Sequence, residues 1–215
     1  MPSAVRRPLA LACTLALSLV APAAASAATV SATAPCVLDG GANLGVTSSG
    51  WTAGEALTFA LDGKPVGSGT ADAAGAFSNA ADPFETPLLT GAPIRRFTLT
   101  AANATGLHAD THVKVVHRTV EVPKRSRPSH RVRYRAYGFP QGKRLYLHVR
   151  RGHQTLGRFA LGRPHGACGV VGKRLRYMPL RHWSTGSYDY WFSNRRHFVR
   201  SRALFGYRIR IYKAS

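Results

Sequence analysis

Residues 49–78 read SGWTAGEALTFALDGKPVGSGTADAAGAFS. Two short runs, 56–61 and 65–70, flank Asp62-Gly63, and neither holds a helical period. Glycine enters the left-handed region at little cost and aspartate tolerates it, so Asp-Gly between such runs is a tight hairpin signal. A third run at 76–80 follows the next glycine turn. The same grammar continues outward, with strands expected at 29–34, 42–48, 95–102 and 108–116. Short strands separated by turns about every eight to twelve residues point to a β-sandwich.

The order of motifs within this stretch is a Gly50-Trp51-Thr52-x-Gly54-Glu55 turn, a strand ending in Asp62-Gly63, a short valine strand, then Thr70-Ala71-Asp72-x-x-Gly75-x-Phe77. That order resembles the immunoglobulin-like repeats of secreted actinobacterial proteins. The stretch FTLTAANATG at 97–106 fits the later strands of the same repeat. The resemblance implies an immunoglobulin-like first module and no particular activity, because such modules serve as spacers, adhesive units or companions of another domain. Farther on, GFPQGKRLYLHVRRG (138–152) and LGRPHGACG (161–169) resemble a carboxy-terminal module of exported actinobacterial proteins, which brings no activity with it.

The chain begins with Arg6 and Arg7, an apolar run from Leu9 to Ala21, and the small-residue triplet Ala25-Ser26-Ala27. This is the pattern of a secretory signal peptide over residues 1–27, and the run is too short for a bilayer span. Cys13 lies inside it and leaves with it. Leu11 stands where a lipoprotein signal requires a small residue. No second apolar stretch follows, so no transmembrane segment is expected in the mature chain, which is read as secreted or associated with the cell envelope.

Charge divides the mature chain. Residues 28–117 carry four basic and seven acidic residues, whereas residues 118–215 carry 24 basic and two acidic ones, Glu121 and Asp189. Residues 118–129, RTVEVPKRSRPS, read as a linker or a first strand. Residues 130–215 then form a second, basic β-sandwich. In HRVRYRAY, Val132, Tyr134 and Ala136 alternate with Arg131, Arg133 and Arg135; in KRLYLHVRRG, Leu145, Leu147 and Val149 alternate with Arg144, Tyr146, His148 and Arg150; in GYRIRIY, Tyr207, Ile209 and Ile211 alternate with Arg208, Arg210 and Tyr212. Period-two patterning with one apolar side means half-buried strands. Further strands are expected at 155–161, 175–178 and 188–193, with Trp183, Tyr188, Tyr190, Phe192 and Phe205 filling the core or its lid.

If the three alternating strands are neighbours, Arg131, Arg133, Arg135, Arg144, Arg150, Arg208 and Arg210 share one sheet face. Like charges opposite one another on a sheet are destabilising, so such a face implies an anionic partner. Candidates are a phosphate-rich wall polymer, an acidic polysaccharide, an anionic membrane surface or nucleic acid. Export and the lack of a reading motif argue against sequence-specific nucleic-acid recognition. The bland alternative is a solvated face whose arginines lie over neighbouring aromatics.

Two cysteines remain after export, Cys36 and Cys168, an even count for an oxidising compartment. One reading is a Cys36–Cys168 disulfide that locks the two modules together. The alternatives are an unpaired structural cysteine and a thiol nucleophile with His165 as its base, the latter poorly supported because the basic half has only two acids to orient an imidazole. His108, Asp110 and His112 have a spacing that points to one side of a strand, yet ~13 Å from first to last is too far for one ion. A polar outward face is the simpler reading, and no metal or cofactor is expected. No Gly-rich phosphate loop, HExxH, GxSxG or carboxylate pair for glycoside hydrolysis stands out, and the chain reads as non-catalytic.

Overall fold

A computed structural model describes residues 27–212. The expected signal peptide, with Cys13, lies outside the described residues save for Ala27. The first module contains β1 (Thr29–Ala32), β2 (Cys36–Leu38), β3 (Gly41–Leu44), β4 (Val46–Ser49), β5 (Ala56–Leu61), β6 (Lys64–Thr70), β7 (Phe77–Ser78), β8 (Phe84–Thr86), β9 (Ile94–Asn103) and β10 (His108–Val116). Strands β1-β4-β7 form one sheet and β2-β10-β9-β5-β6 the other, while β3 pairs with β8 as a two-stranded extension. This strand order, with consecutive strands shared between facing sheets, is that of an immunoglobulin-like sandwich. The β5–β6 hairpin turns at Asp62 (φ 47°) and Gly63 (φ 75°), two left-handed residues in succession, as its sequence demands. Leu57, Phe59, Leu61, Leu99, Val113 and Val115 fill the space between the sheets, and the rings of Phe59 and Phe77 stack at 4.7 Å.

The second module contains β11 (Thr119–Glu121), β12 (Arg131–Tyr137), β13 (Leu145–Arg151), β14 (Gln154–Gly162), β15 (Val171–Arg176), β16 (Gly186–Ser193) and β17 (Phe205–Ile211). Its sheets are β11-β12-β15 and β14-β13-β16-β17. The connectivity repeats that of the first module, so the fold is all-β, two sandwiches in series. Near the start of β16 the Tyr188 hydroxyl donates to the Ser184 carbonyl (2.8 Å) and accepts from the Ser184 amide (3.0 Å). This corner ties the incoming loop to its strand, a feature of such sandwiches. Leu145, Leu147, Val149, Tyr134, Tyr190 and Phe192 lie in the core. Burial pushes the Tyr134 and Tyr190 phenols far above their ordinary range, and both hydroxyls donate to the Tyr177 carbonyl at 2.7 Å. The one helical turn among the described residues is Arg200–Arg202. No helix among them is long and apolar enough to cross a membrane.

Several sequence expectations need correction. Of the two readings of 118–129, linker or first strand, the second holds for Thr119–Glu121, which pairs with Tyr137–Arg135 and leaves only His117 and Arg118 between the two sandwiches. The strand expected at 175–178 is Val171–Arg176, because its partner is β12, whose register runs from Arg131↔Arg176 to Ala136↔Val171. Of the aromatics expected in the core or its lid, Trp183 is 42% exposed and so is not in the core. His148, expected to face solvent, is 1% exposed, because residues between β16 and β17 fold over it. β2 and β8 went unread; each has three residues, too few to show a period, and each exists through pairing with distant strands.

Candidate anion-binding surface

The arginine rows do not share one face. β12 belongs to one sheet of the second module; β13 and β17 belong to the other, separated from each other by β16. Arg131, Arg133 and Arg135 therefore stand on the outer face of β11-β12-β15, and Arg150, Arg208 and Arg210 on the opposite outer face. Arg144 lies exposed in the turn before β13. The single seven-arginine face is overturned, for the reason that sandwich connectivity sends consecutive strands to different sheets.

What β12 gains instead is β15. Arg131 lies opposite Arg176 and Arg133 opposite Arg174, while Arg135 faces Gly172 on that side and Glu121 of β11 on the other. All five arginines are exposed. Directly opposite residues have Cβ atoms only about 5 Å apart, and successive outward residues on a strand are about 6.6 Å apart. The face is thus a ladder of two arginine pairs ending at a lone carboxylate. Glu121 is engaged by the Tyr137 hydroxyl at 2.9 Å, and that phenol is raised above its usual range by partial burial and by donating to the carboxylate. Among the described residues, no salt bridge involves any of the five. Arg174 and Arg176 were missed by sequence reasoning, although Arg174-Leu175-Arg176 carries the same period-two signal as β12.

On the opposite face most of the cations have partners within the protein, although Arg150 Nε is buried without one among the described residues. Arg208 Nε donates to Asp189 at 2.7 Å, and that carboxylate holds the guanidinium above its usual pKa range. Arg150 lies over the Phe198 ring at 4.3 Å and donates to the His153 carbonyl. Arg158 donates to the Arg196 carbonyl at 3.2 Å, Arg200 lies over Trp191 at 5.9 Å and Arg210 over Tyr212 at 5.6 Å. Beneath them His148 Nε2 donates to the Arg195 carbonyl (3.1 Å) and lies 3.0 Å from Ser193 Oγ. Its pKa is lowered, first by burial and then by the cations Arg158, Arg150 and His197, against the opposing effect of the Arg195 carbonyl.

Cys168 is bonded to Cys36, with sulfurs 2.05 Å apart and Cα atoms 5.2 Å apart. It sits in a hairpin closed by reciprocal backbone bonds of 2.9 Å between His165 and Val170, with Gly166 and Gly169 left-handed. The tip of this hairpin accepts from the Gly138 and Phe139 amides through the Cys168 and Gly169 carbonyls. Cys168 therefore offers His165 no free thiol to activate, and the reading of this pair as nucleophile and base fails at its first requirement. Nearby, Arg118 Nε donates to the Gly138 carbonyl at 3.0 Å, while His117 Nδ1 lies 2.8 Å from Asp39, next to β2. On β10, His108, Asp110 and His112 are exposed, and Asp110 accepts from Thr100 at 2.5 Å.

No known protein-family model matches the sequence, and no curated protein resembles it closely enough to count as a relative. Among solved structures the chain is similar to the human OSCAR ligand-binding domain, with a TM-score of 0.29 and 11% sequence identity, over 77% of this chain and 88% of that one.

Proposed function

We propose that this is an exported, non-catalytic component of the cell envelope whose second module docks on an anionic polymer through the β11-β12-β15 face. The carrying observation is the pair of cross-strand arginine juxtapositions, Arg131 opposite Arg176 and Arg133 opposite Arg174, with no salt bridge to a carboxylate among the described residues. Such pairs weaken a sheet unless an anion lies between them. Guanidinium forks suit phosphate and carboxylate oxygens, which fits a phosphate-rich wall polymer or an acidic polysaccharide. The disulfide agrees with export to an oxidising compartment.

The competing reading is a ligand-free spacer, favoured by the dispersal of Arg144, Arg150, Arg208 and Arg210 away from the ladder. Retention on phosphocellulose separates the two. Ladder docking predicts elution that moves steeply with salt, because bound counter-ions are released. It also predicts that Arg133→Glu with Arg174→Glu reduces retention far more than Arg144→Glu with Arg210→Glu, which changes net charge equally. Equal losses from both pairs, or retention indifferent to salt, would leave the spacer reading.

A further inference from the structure

The two modules repeat one strand order, and at one edge they differ. In the first, β2 lies parallel along the outer edge of β10, pairing Cys36, Val37 and Leu38 with Lys114, Val115 and Val116. In the second, the corresponding edge belongs to β17, last in the order β14-β13-β16-β17. Among the described residues no strand pairs with its far side, and no backbone hydrogen bond beyond the β16 ladder reaches it. The preceding chain does not fill the place: β11 pairs only with β12, and residues 122–130 pass the edge without forming a strand.

What remains is a cleft along β17, about 840 Å³ at its end and about 380 Å³ alongside. Buried Tyr177, Ile209 and Ile211 supply apolar surface; exposed Lys124, Arg127 and Arg210 supply charge, and among the described residues no carboxylate lines either part. An open edge is a row of amides and carbonyls that templates another strand. Here the cations repel a second copy of the same edge, since Arg208 and Arg210 would meet like charges. They favour one kind of occupant only. The opposite edge strand, β14, has no such opening at Ala160, whose carbonyl accepts from Lys173 Nζ at 2.7 Å.

We propose that the free edge of β17 takes an extended, acidic peptide segment as an added strand, in the position that β2 holds in the first module. Main-chain pairing gives the contact its direction, and the cationic rim selects glutamate or aspartate at the positions that face it. This site is on the sheet opposite the arginine ladder and does not depend on polymer docking.

The test titrates the oxidised mature protein with a blocked (Val-Glu)4 octapeptide. The comparison peptides are (Val-Lys)4 and (Val-Glu)4 methylated at every backbone nitrogen, which keeps its charge and cannot donate to a strand. Strand addition predicts that the unmodified acidic peptide binds at least about tenfold more tightly than either comparison, the loss expected when two or three hydrogen bonds vanish. It further predicts slowed hydrogen exchange at alternate amides of β17 and not of β12. Lys124→Glu with Arg210→Glu abolishes binding while leaving the far-ultraviolet spectrum unchanged. Equal binding of the methylated peptide, protection confined to β12, no binding of the acidic peptide, or self-association through β17 would each overturn the proposal.

Discussion

At the residue scale, two positions carry tertiary information that their neighbours in sequence do not. Gly169 has φ +57° and its absent Cβ would stand 1.9 Å from the Phe139 carbonyl oxygen. Any side chain there meets both a left-handed backbone, costing about 1–2 kcal/mol by itself, and a main-chain oxygen that can retreat only if the hairpin lifts off. Gly169→Ala is expected to lower stability by at least about 2 kcal/mol and to reduce the yield of the Cys36–Cys168 bond in oxidative refolding, both read by melting and peptide mapping. His148 is the second position. Its folded pKa lies below its unfolded value, so the unfolded chain binds the proton first as pH falls, and stability must drop below about pH 6.5. Melting temperature should therefore fall between pH 7.5 and pH 5.5, and His148→Gln should flatten that part of the profile. A profile unchanged by the substitution would mean that the lowered pKa has no consequence for folding.

At the element scale, the β12–β15 pairing sets stability against binding. Arg174 gains nothing from Arg133 opposite it, and a threonine there would pair well across the strands. Arg174→Thr is accordingly expected to stabilise the protein by roughly 0.2–1 kcal/mol at low ionic strength, with the gain shrinking as salt screens the repulsion. The same substitution should weaken retention on phosphocellulose. Stability and retention moving in the same direction would remove the argument that the ladder is held for a partner. The alternation that identified β12, β13 and β17 was legible because period two is local. Their assignment to sheets was not, because strand neighbours are chosen by connectivity, and here β15 rather than β13 came to lie beside β12.

At the scale of the whole molecule, the junction is short and cross-linked. Only His117 and Arg118 separate β10 from β11, and the disulfide spans 132 positions. On the chain-entropy account a closure of that length stabilises by ~5 kcal/mol. Its bond joins the two modules rather than the sheets of either one. Reduction is therefore expected to loosen the angle between sandwiches, seen as a larger radius of gyration by small-angle scattering, while both cores keep their β-sheet spectrum. Collapse of the first module on reduction would instead make β2 dependent on the bond for its place along β10.

The sequence by itself determined the two-sandwich β architecture, the Asp62-Gly63 turn, the export signature and the concentration of charge after residue 117, since each is written in local pattern, spacing or composition. It also made Cys36–Cys168 one reading of the two cysteines beyond the apolar amino-terminal run, beside an unpaired cysteine and a thiol nucleophile, and the structure decided among them. Only the tertiary structure decided which arginines stand together, that His148 is covered, that β17 has an empty edge where β10 has β2, and that the Cys168 hairpin rests on Gly138 and Phe139. Those outcomes depend on contacts between residues far apart in the chain, and no local periodicity encodes the partner that a strand or a loop will meet.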